Sequence, residues 1–392
     1  MKGSSAKNYF IVSTSMLLAP PSVAQTNPVK GNFTVKIAIV GCGKIADAHV
    51  EEIRKVGSAQ LVAVSDLEPL MAEQLAARFG IPRWYSDLSE MLAAEQIDVI
   101  HITTPPQSHV ALVRQCFNAG CHVFLEKPVA LRHSDTQAIV QAAANSNCKL
   151  AVNYWPNFER QALDLRAMYQ AGVLGAPVHI ESFYGYNLSG EYGMAIRRDP
   201  HHWVRSMPGM LFQNVLDHVL NKIVPYLDDS DPEMHVDAYC RAADDDMSGA
   251  DQLLDELRVM IRGGKVSAYA TFSAHARPVG HTMRFYGTRN TAYADFNART
   301  LVLERKQQFP SALGRLAPAF QVSSDYFRQS IKNVRLFSRS RFHFFDGMRR
   351  LLTEFYSSIE NNSPPPIAYE EILRVSSLID TIVAEVYPAV LA

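Results

Sequence analysis

Three observations predict an α/β protein in two parts, a parallel sheet flanked by helices and then an α+β domain with a mostly antiparallel open sheet. The first is the run Val35-Lys-Ile-Ala-Ile-Val-Gly41-Cys42-Gly43-Lys44-Ile45-Ala46, an apolar strand that turns through paired glycines into a helix. The second is a rhythm. Short apolar runs at 61–64, 99–102, 123–125 and 150–152 are separated by helix-length stretches, including helices expected over 108–118 and 134–145. The third is where the rhythm stops: after a helix over 159–170, strand-like alternation at 178–184, 257–261, 266–272 and 283–286 predicts an antiparallel or mixed sheet. Gly263-Gly264 and Gly287-Thr-Arg-Asn290 mark its hairpin turns. The expected division is an extension over 1–33, a first domain over 34–152 and a second over 153–392.

The glycine turn has the chemistry of a dinucleotide site. Gly41 permits the tight turn, Gly43 lets the backbone approach a pyrophosphate, and Ala46 lets helix pack on strand. The amides that open the helix at Lys44 and Ile45 face the anion. An acidic residue is expected about 20 residues further on, at the end of the next strand, and Asp66 supplies it. Its carboxylate would bind the ribose hydroxyls. No arginine stands beside it to receive a 2′-phosphate, so this Rossmann pattern predicts NAD over NADP.

Composition bounds the partners. A net charge of -1 over 392 residues gives no basic surface of the kind that attracts nucleic acid, so none is expected as a partner. Five scattered cysteines have no metal-ligand spacing and suit a reducing cytoplasm. His201 and His202 adjoin, yet no further ligand pattern completes a metal site, and no metal is expected. Lys2 and Lys7 before the apolar stretch at 9–19 resemble a weak secretory signal, but a plain extension is the favoured reading.

Asp98-Val-Ile-His-Ile-Thr103-Thr104-Pro105-Pro106-Gln107-Ser108-His109 and His122-Val-Phe-Leu-Glu126-Lys127-Pro128 end successive strands on one sheet edge. With the glycine turn they resemble the glucose-fructose oxidoreductase and inositol dehydrogenase family, Gfo/Idh/MocA. The resemblance implies that Thr104, Pro105, His109 and Glu126 serve the cofactor. It places Lys127 beside the nicotinamide and the reacting carbon, where it orients a hydroxyl or helps move its proton. The family's helix with aspartate, three residues, then histidine falls on Asn214-Val-Leu-Asp217-His218, with asparagine in place of the first acid. His218 is then the general base and acid, Asn214 is a neutral neighbour on the same helix face, and Asp217 points elsewhere. Tyr154, Trp203 and Arg205 are further candidates for the substrate.

The resemblance implies a sugar or nucleotide-sugar dehydrogenase, expected as a homo-oligomer, nearest to members associated with polysaccharide biosynthesis. Two alternatives stay open: an NAD-dependent glycosidase of the same superfamily, and a non-catalytic NAD-binding relative. One segment lies outside the family pattern. Between Arg315 and Arg350, cations including Arg328, Arg335, Arg339 and Arg341 interleave with Phe320, Phe327, Phe337 and Phe344. A packed helix with a solvated charged face is the favoured reading there, and contact with a membrane surface is the second.

Overall fold

The computed structural model describes residues 34–241, 253–306, 311–339 and 342–388. The N-terminal extension and Arg341 lie outside the described residues. In the first sheet, β1 (Val35–Val40), β2 (Ala59–Ser65), β3 (Arg83–Tyr85), β4 (Val99–Ile102), β5 (His122–Leu125) and β6 (Leu150–Val152) run parallel, in the order β3-β2-β1-β4-β5-β6. Helices α1 (Lys44–Ile53), α2 (Pro69–Phe79), α3 (Leu88–Ala94), α4 (His109–Asn118) and α5 (His133–Asn145) make the crossovers. Ile37, Ile39, Ile100, Val123 and Phe124 are wholly buried. Strands covered on both faces read as continuous apolar runs, which is why these were legible. The short edge strand β3 carries exposed Arg83 and Trp84 and gave no such signal.

The strand order reverses between β1 and β4, and there the loops part to leave a crevice at the carboxyl edge. Gly41 closes that edge. Its φ is +95°, and a Cβ would meet the Thr104 amide nitrogen at 2.8 Å and the Thr103 carbonyl carbon at 2.9 Å.

The chain continues through α6 (Arg160–Gln170), β7 (Pro177–Gly185), α7 (Glu191–Arg198), α8 (Met210–Val215) and α9 (Asp217–Leu220). Six more strands follow, β8 (Glu233–Tyr239), β9 (Glu256–Arg262), β10 (Ser267–Ser273), β11 (His281–Gly287), β12 (Asn290–Asp295) and β13 (Thr300–Arg305). The seven-stranded sheet has the order β13-β12-β11-β7-β10-β9-β8; β7 and β10 pair parallel and the other neighbours antiparallel. Both expected hairpins form, β9 to β10 and β11 to β12. The chain ends in α10 (Ser311–Ser338), α11 (Asp346–Glu360) and α12 (Tyr369–Val386). The last helix returns to the first sheet, where Asp380 accepts from the His133 amide at 2.6 Å and Ser376 bonds Thr136 at 2.9 Å.

Candidate active site

The cofactor cradle follows from the β1–α1 turn. Gly43 precedes α1 with φ -71°, and a Cβ built on it would meet nothing within 4 Å, so its face is open to a ligand. Asp66 is fixed at the end of β2: its carboxylate accepts from the Cys42 amide at 2.6 Å and from the Glu68 amide at 2.9 Å. Remaining lone pairs on both oxygens can receive ribose hydroxyls. Arg78, the nearby cation, pairs with Asp47 at 2.7 Å instead. Burial, then the Asp66 charge, pushes the Cys42 thiol up to about 12, so it is an inert filler of the turn. These residues fit a bound dinucleotide.

The two glycines should therefore fail differently. Gly41→Val meets backbone at a left-handed φ and is expected to destabilise the fold by roughly 2 kcal/mol or more. Gly43→Val should keep the parent's melting temperature yet lose NAD binding in calorimetry. Equal thermal destabilisation by both would contradict this geometry.

A cleft of about 760 Å³ joins the cradle to the second sheet; Ile45, Glu126, Lys127, Asn187 and His218 are among its lining residues. The helix that carries His218 is interrupted at Leu216, between α8 and α9. At that interruption the Asn214 carbonyl accepts from the Lys127 ammonium at 3.0 Å, and the Asn214 amide oxygen lies 3.4 Å away. Burial lowers the Lys127 pKa, while Glu126 and Asp217 oppose the shift. Burial, then Lys127 and Lys222, holds His218 well below its ordinary value. It is a neutral imidazole at pH 7, able to accept a proton.

Asp217 corrects the sequence reading, which turned it away from the site. It is buried, and burial raises its pKa to about 6 even though Lys127 pulls it down. The Tyr154 hydroxyl also lowers it, and neither Asp217 Oδ2 nor that hydroxyl has another hydrogen-bond partner among the described residues. Both residues line a cavity of about 10 Å³, the room that one water needs. Tyr154, expected at the substrate, thus lines this small cavity and is not among the cleft-lining residues.

Glu126 is held by a buried relay. Its Oε1 meets His49 Nε2 at 2.8 Å and accepts from the Asn153 amide at 2.6 Å. His49 Nδ1 lies 2.8 Å from His101 Nδ1, and His101 Nε2 lies 2.7 Å from the Tyr356 hydroxyl. Burial raises the Glu126 pKa, but the His49 hydrogen bond, Asn153 and Lys127 outweigh it and hold Glu126 a carboxylate. The tautomers then follow: His49 donates from Nε2, His101 donates from Nδ1, and Tyr356 donates to His101. Three donors in series orient one carboxylate at the cleft wall.

Other expected residues lie elsewhere. His109 is fully buried, with Nδ1 at 2.9 Å from the Val129 carbonyl and Nε2 at 2.9 Å from that of Thr104. It fastens two loops rather than facing a ligand. Trp203 stacks on His202 with ring centroids 5.9 Å apart, and Arg205 donates to the Ile196 carbonyl at 3.4 Å. Neither is among the cleft-lining residues. Gln107, just after Pro105 and Pro106, donates to Ser206 at 3.2 Å and ties that segment to the first sheet.

Sequence reasoning missed a cluster at the far wall, where Tyr184, His281 and Phe296 line the cleft and Lys222 packs on Phe296. Tyr184 and His281 are register partners on β7 and β11, and Tyr184 lies 4.8 Å from the His218 ring. Lys222 is buried with its ammonium nitrogen 5.0 Å over Phe296 and no hydrogen-bond partner among the described residues. Lys222 stands four residues after His218, a helical spacing that could have flagged it. Burial drives its pKa well down, so the unfolded chain binds a proton that the fold gives up, and stability falls as pH drops below the ordinary lysine range. Lys222→Met is expected to stabilise the protein by about 1–3 kcal/mol in urea unfolding at pH 7, with a smaller gain near pH 10. A destabilised variant at pH 7 would show that the amine is satisfied.

Parallel strands in the order 3-2-1-4-5-6, a glycine turn and a cleft against a second sheet define a dinucleotide-binding two-sheet α/β protein. Residues 35–154 match the model of the Gfo/Idh/MocA oxidoreductase family, NAD-binding Rossmann fold. D-apiose dehydrogenase of Paraburkholderia graminis is 34% identical over 145 residues, 36% of this chain and 38% of that protein. Myo-inositol 2-dehydrogenase of Thermotoga maritima is 25% identical over 143 residues, 36% of this chain and 43% of that protein. The matched part spans less than half the length of these curated relatives. Among solved structures, the WlbA dehydrogenase of Bordetella pertussis with NADH and UDP-GlcNAcA aligns with TM-score 0.70 and 18% identity, covering 91% of this chain and 96% of that one. Levoglucosan dehydrogenase with NADH and levoglucosan gives 0.71 and 15%, covering 91% and 98%. At such identity the likeness shows a shared two-sheet fold.

Proposed function

We propose that the protein is a nicotinamide-dependent oxidoreductase that transfers hydride to or from a carbinol carbon of a sugar or nucleotide-linked sugar, with NAD preferred over NADP. The observation that carries this reading is one cleft in which Ile45 of the cofactor turn, Lys127 and His218 meet. The bound nicotinamide supplies the hydride acceptor or donor. In the oxidative direction the substrate C–H bond breaks with its electron pair leaving as hydride, the O–H proton passes to neutral His218, and a C=O bond forms. Lys127, held by Asn214, faces the oxygen on which charge develops. The sugar and polyol dehydrogenases among the relatives, and the UDP-GlcNAcA complex among the structural neighbours, support a polyhydroxylated substrate. A homo-oligomer is expected through the open face of the second sheet, where Tyr239, Met260 and Tyr269 are exposed. The buried thiols of Cys42, Cys116, Cys121 and Cys148 favour the cytoplasm.

The test is the formation of reduced nicotinamide from a panel of polyols, free sugars and nucleotide-linked sugars, followed against pH. Below about 6, Asp217 takes up a proton and Lys127 loses one of the two carboxylates that support its charge. The oxidation rate should therefore fall as pH drops through about 6, and Asp217→Asn should remove that inflection. A variant that kept the inflection would assign it to another group.

A further inference from the structure

We propose that α10 is a docking helix that lays its outer face on an anionic bilayer surface and holds the cleft beside it. The helix is inverted in polarity. Its inner face meets the edge strand β13 with amides: Gln329 accepts from the Leu301 amide at 2.7 Å and donates to the Leu301 carbonyl, and Asn333 donates to the Ala298 carbonyl at 2.9 Å. Its outer face is apolar. Phe320, Phe327 and Val334 recur every seven residues and are 76%, 67% and 66% exposed, with Leu316 and Phe337 beside them at 60% and 74%. Two turns separate residues seven apart, so these side chains form one ridge, about 32 Å long from Leu316 to Phe337.

Charge selects the occupant. The helix carries four cations, Arg315, Arg328, Lys332 and Arg335, against a single carboxylate, Asp325, which Arg328 approaches at 3.8 Å. Arg328, Arg335 and the exposed Arg339 follow one flank of the ridge. In an antiparallel pair with a second copy, that flank would face its own arginines with no acid between them. Anionic headgroups complement it. No helix among the described residues is long and apolar enough to cross a membrane, so the contact is along the surface. Asn333 holds the helix to the loop that supplies Asn297 and Arg299 to the cleft, and Phe344, 70% exposed, also lines that cleft.

The experiment is co-sedimentation of the full chain with phosphatidylcholine vesicles, with and without phosphatidylglycerol. Binding to anionic vesicles should exceed binding to neutral ones by at least about 10-fold and weaken with salt. Phe320→Ser with Phe327→Ser should lose at least about 10-fold of that binding at an unchanged melting temperature, and Arg335→Glu with Arg339→Glu should lose the preference for anionic lipid. No binding to either vesicle, equal binding by the variants, or a stable homodimer dissolved by the paired Phe variant would overturn the proposal.

Discussion

Replacing Lys127 by alanine is expected to lower kcat by about 100-fold or more, the usual scale of a positioned acid-base or electrostatic group, with NAD affinity nearly unchanged. The lysine stands at the cleft, tied to the carbonyl and amide of Asn214, while Asp217 and Glu126 support its charge. Alanine removes that charge and leaves Asp217 buried without its cation, which raises the Asp217 pKa further. Asp66 and the glycine turn are untouched, so NAD titration reports that the cradle is intact. A Lys127→Ala enzyme with parent-like single-turnover hydride transfer would reduce the residue to a loop fastener.

The second large effect is expected at His218, where alanine should likewise lower kcat by about 100-fold or more. The imidazole lines the cleft, and its pKa is driven well down by burial and by Lys127 and Lys222. A base kept neutral across the physiological range predicts that the oxidation rate owes no inflection to His218 near pH 6.5. Asn214→Ala should have a smaller effect, since the Asn214 backbone carbonyl still receives Lys127 at 3.0 Å. A folded His218→Ala enzyme that matched the parent across the pH range would hand proton transfer to another group.

Much of the fold was legible because its strongest elements have local causes. β1, β4 and β5 are mostly apolar and buried, and the Gly41-Cys42-Gly43 turn followed by Asp66 carries the cradle in the sequence itself. The edge strands β3, β8 and β13 were missed; in β8 no residue is fully buried, and Glu233, His235 and Asp237 leave it without an apolar stripe. The site divides in the same way. Lys127, Asn214 and His218 sit on recognisable segments, whereas Tyr184 and His281 become neighbours only through β7–β11 pairing. His49, His101 and Tyr356 lie on α1, β4 and α11, and no local pattern announces that they share one hydrogen-bonded relay. Asp217 misled the reading for a specific reason: an ideal helix turns it from the His218 face, but the break at Leu216 and the Lys127 loop bring its field to the site.

The most direct test of the central reading is the fate of hydrogen on the substrate carbon. The protein is incubated with NAD and a sugar or nucleotide-linked sugar deuterated at its carbinol positions, and the recovered cofactor is analysed by mass spectrometry and proton NMR. Hydride transfer in the cleft predicts one deuterium on the nicotinamide ring of net NADH, together with a carbonyl product in equal amount. Cleaved glycoside with no net NADH, or tightly bound NAD that stays oxidised across the panel, would contradict it.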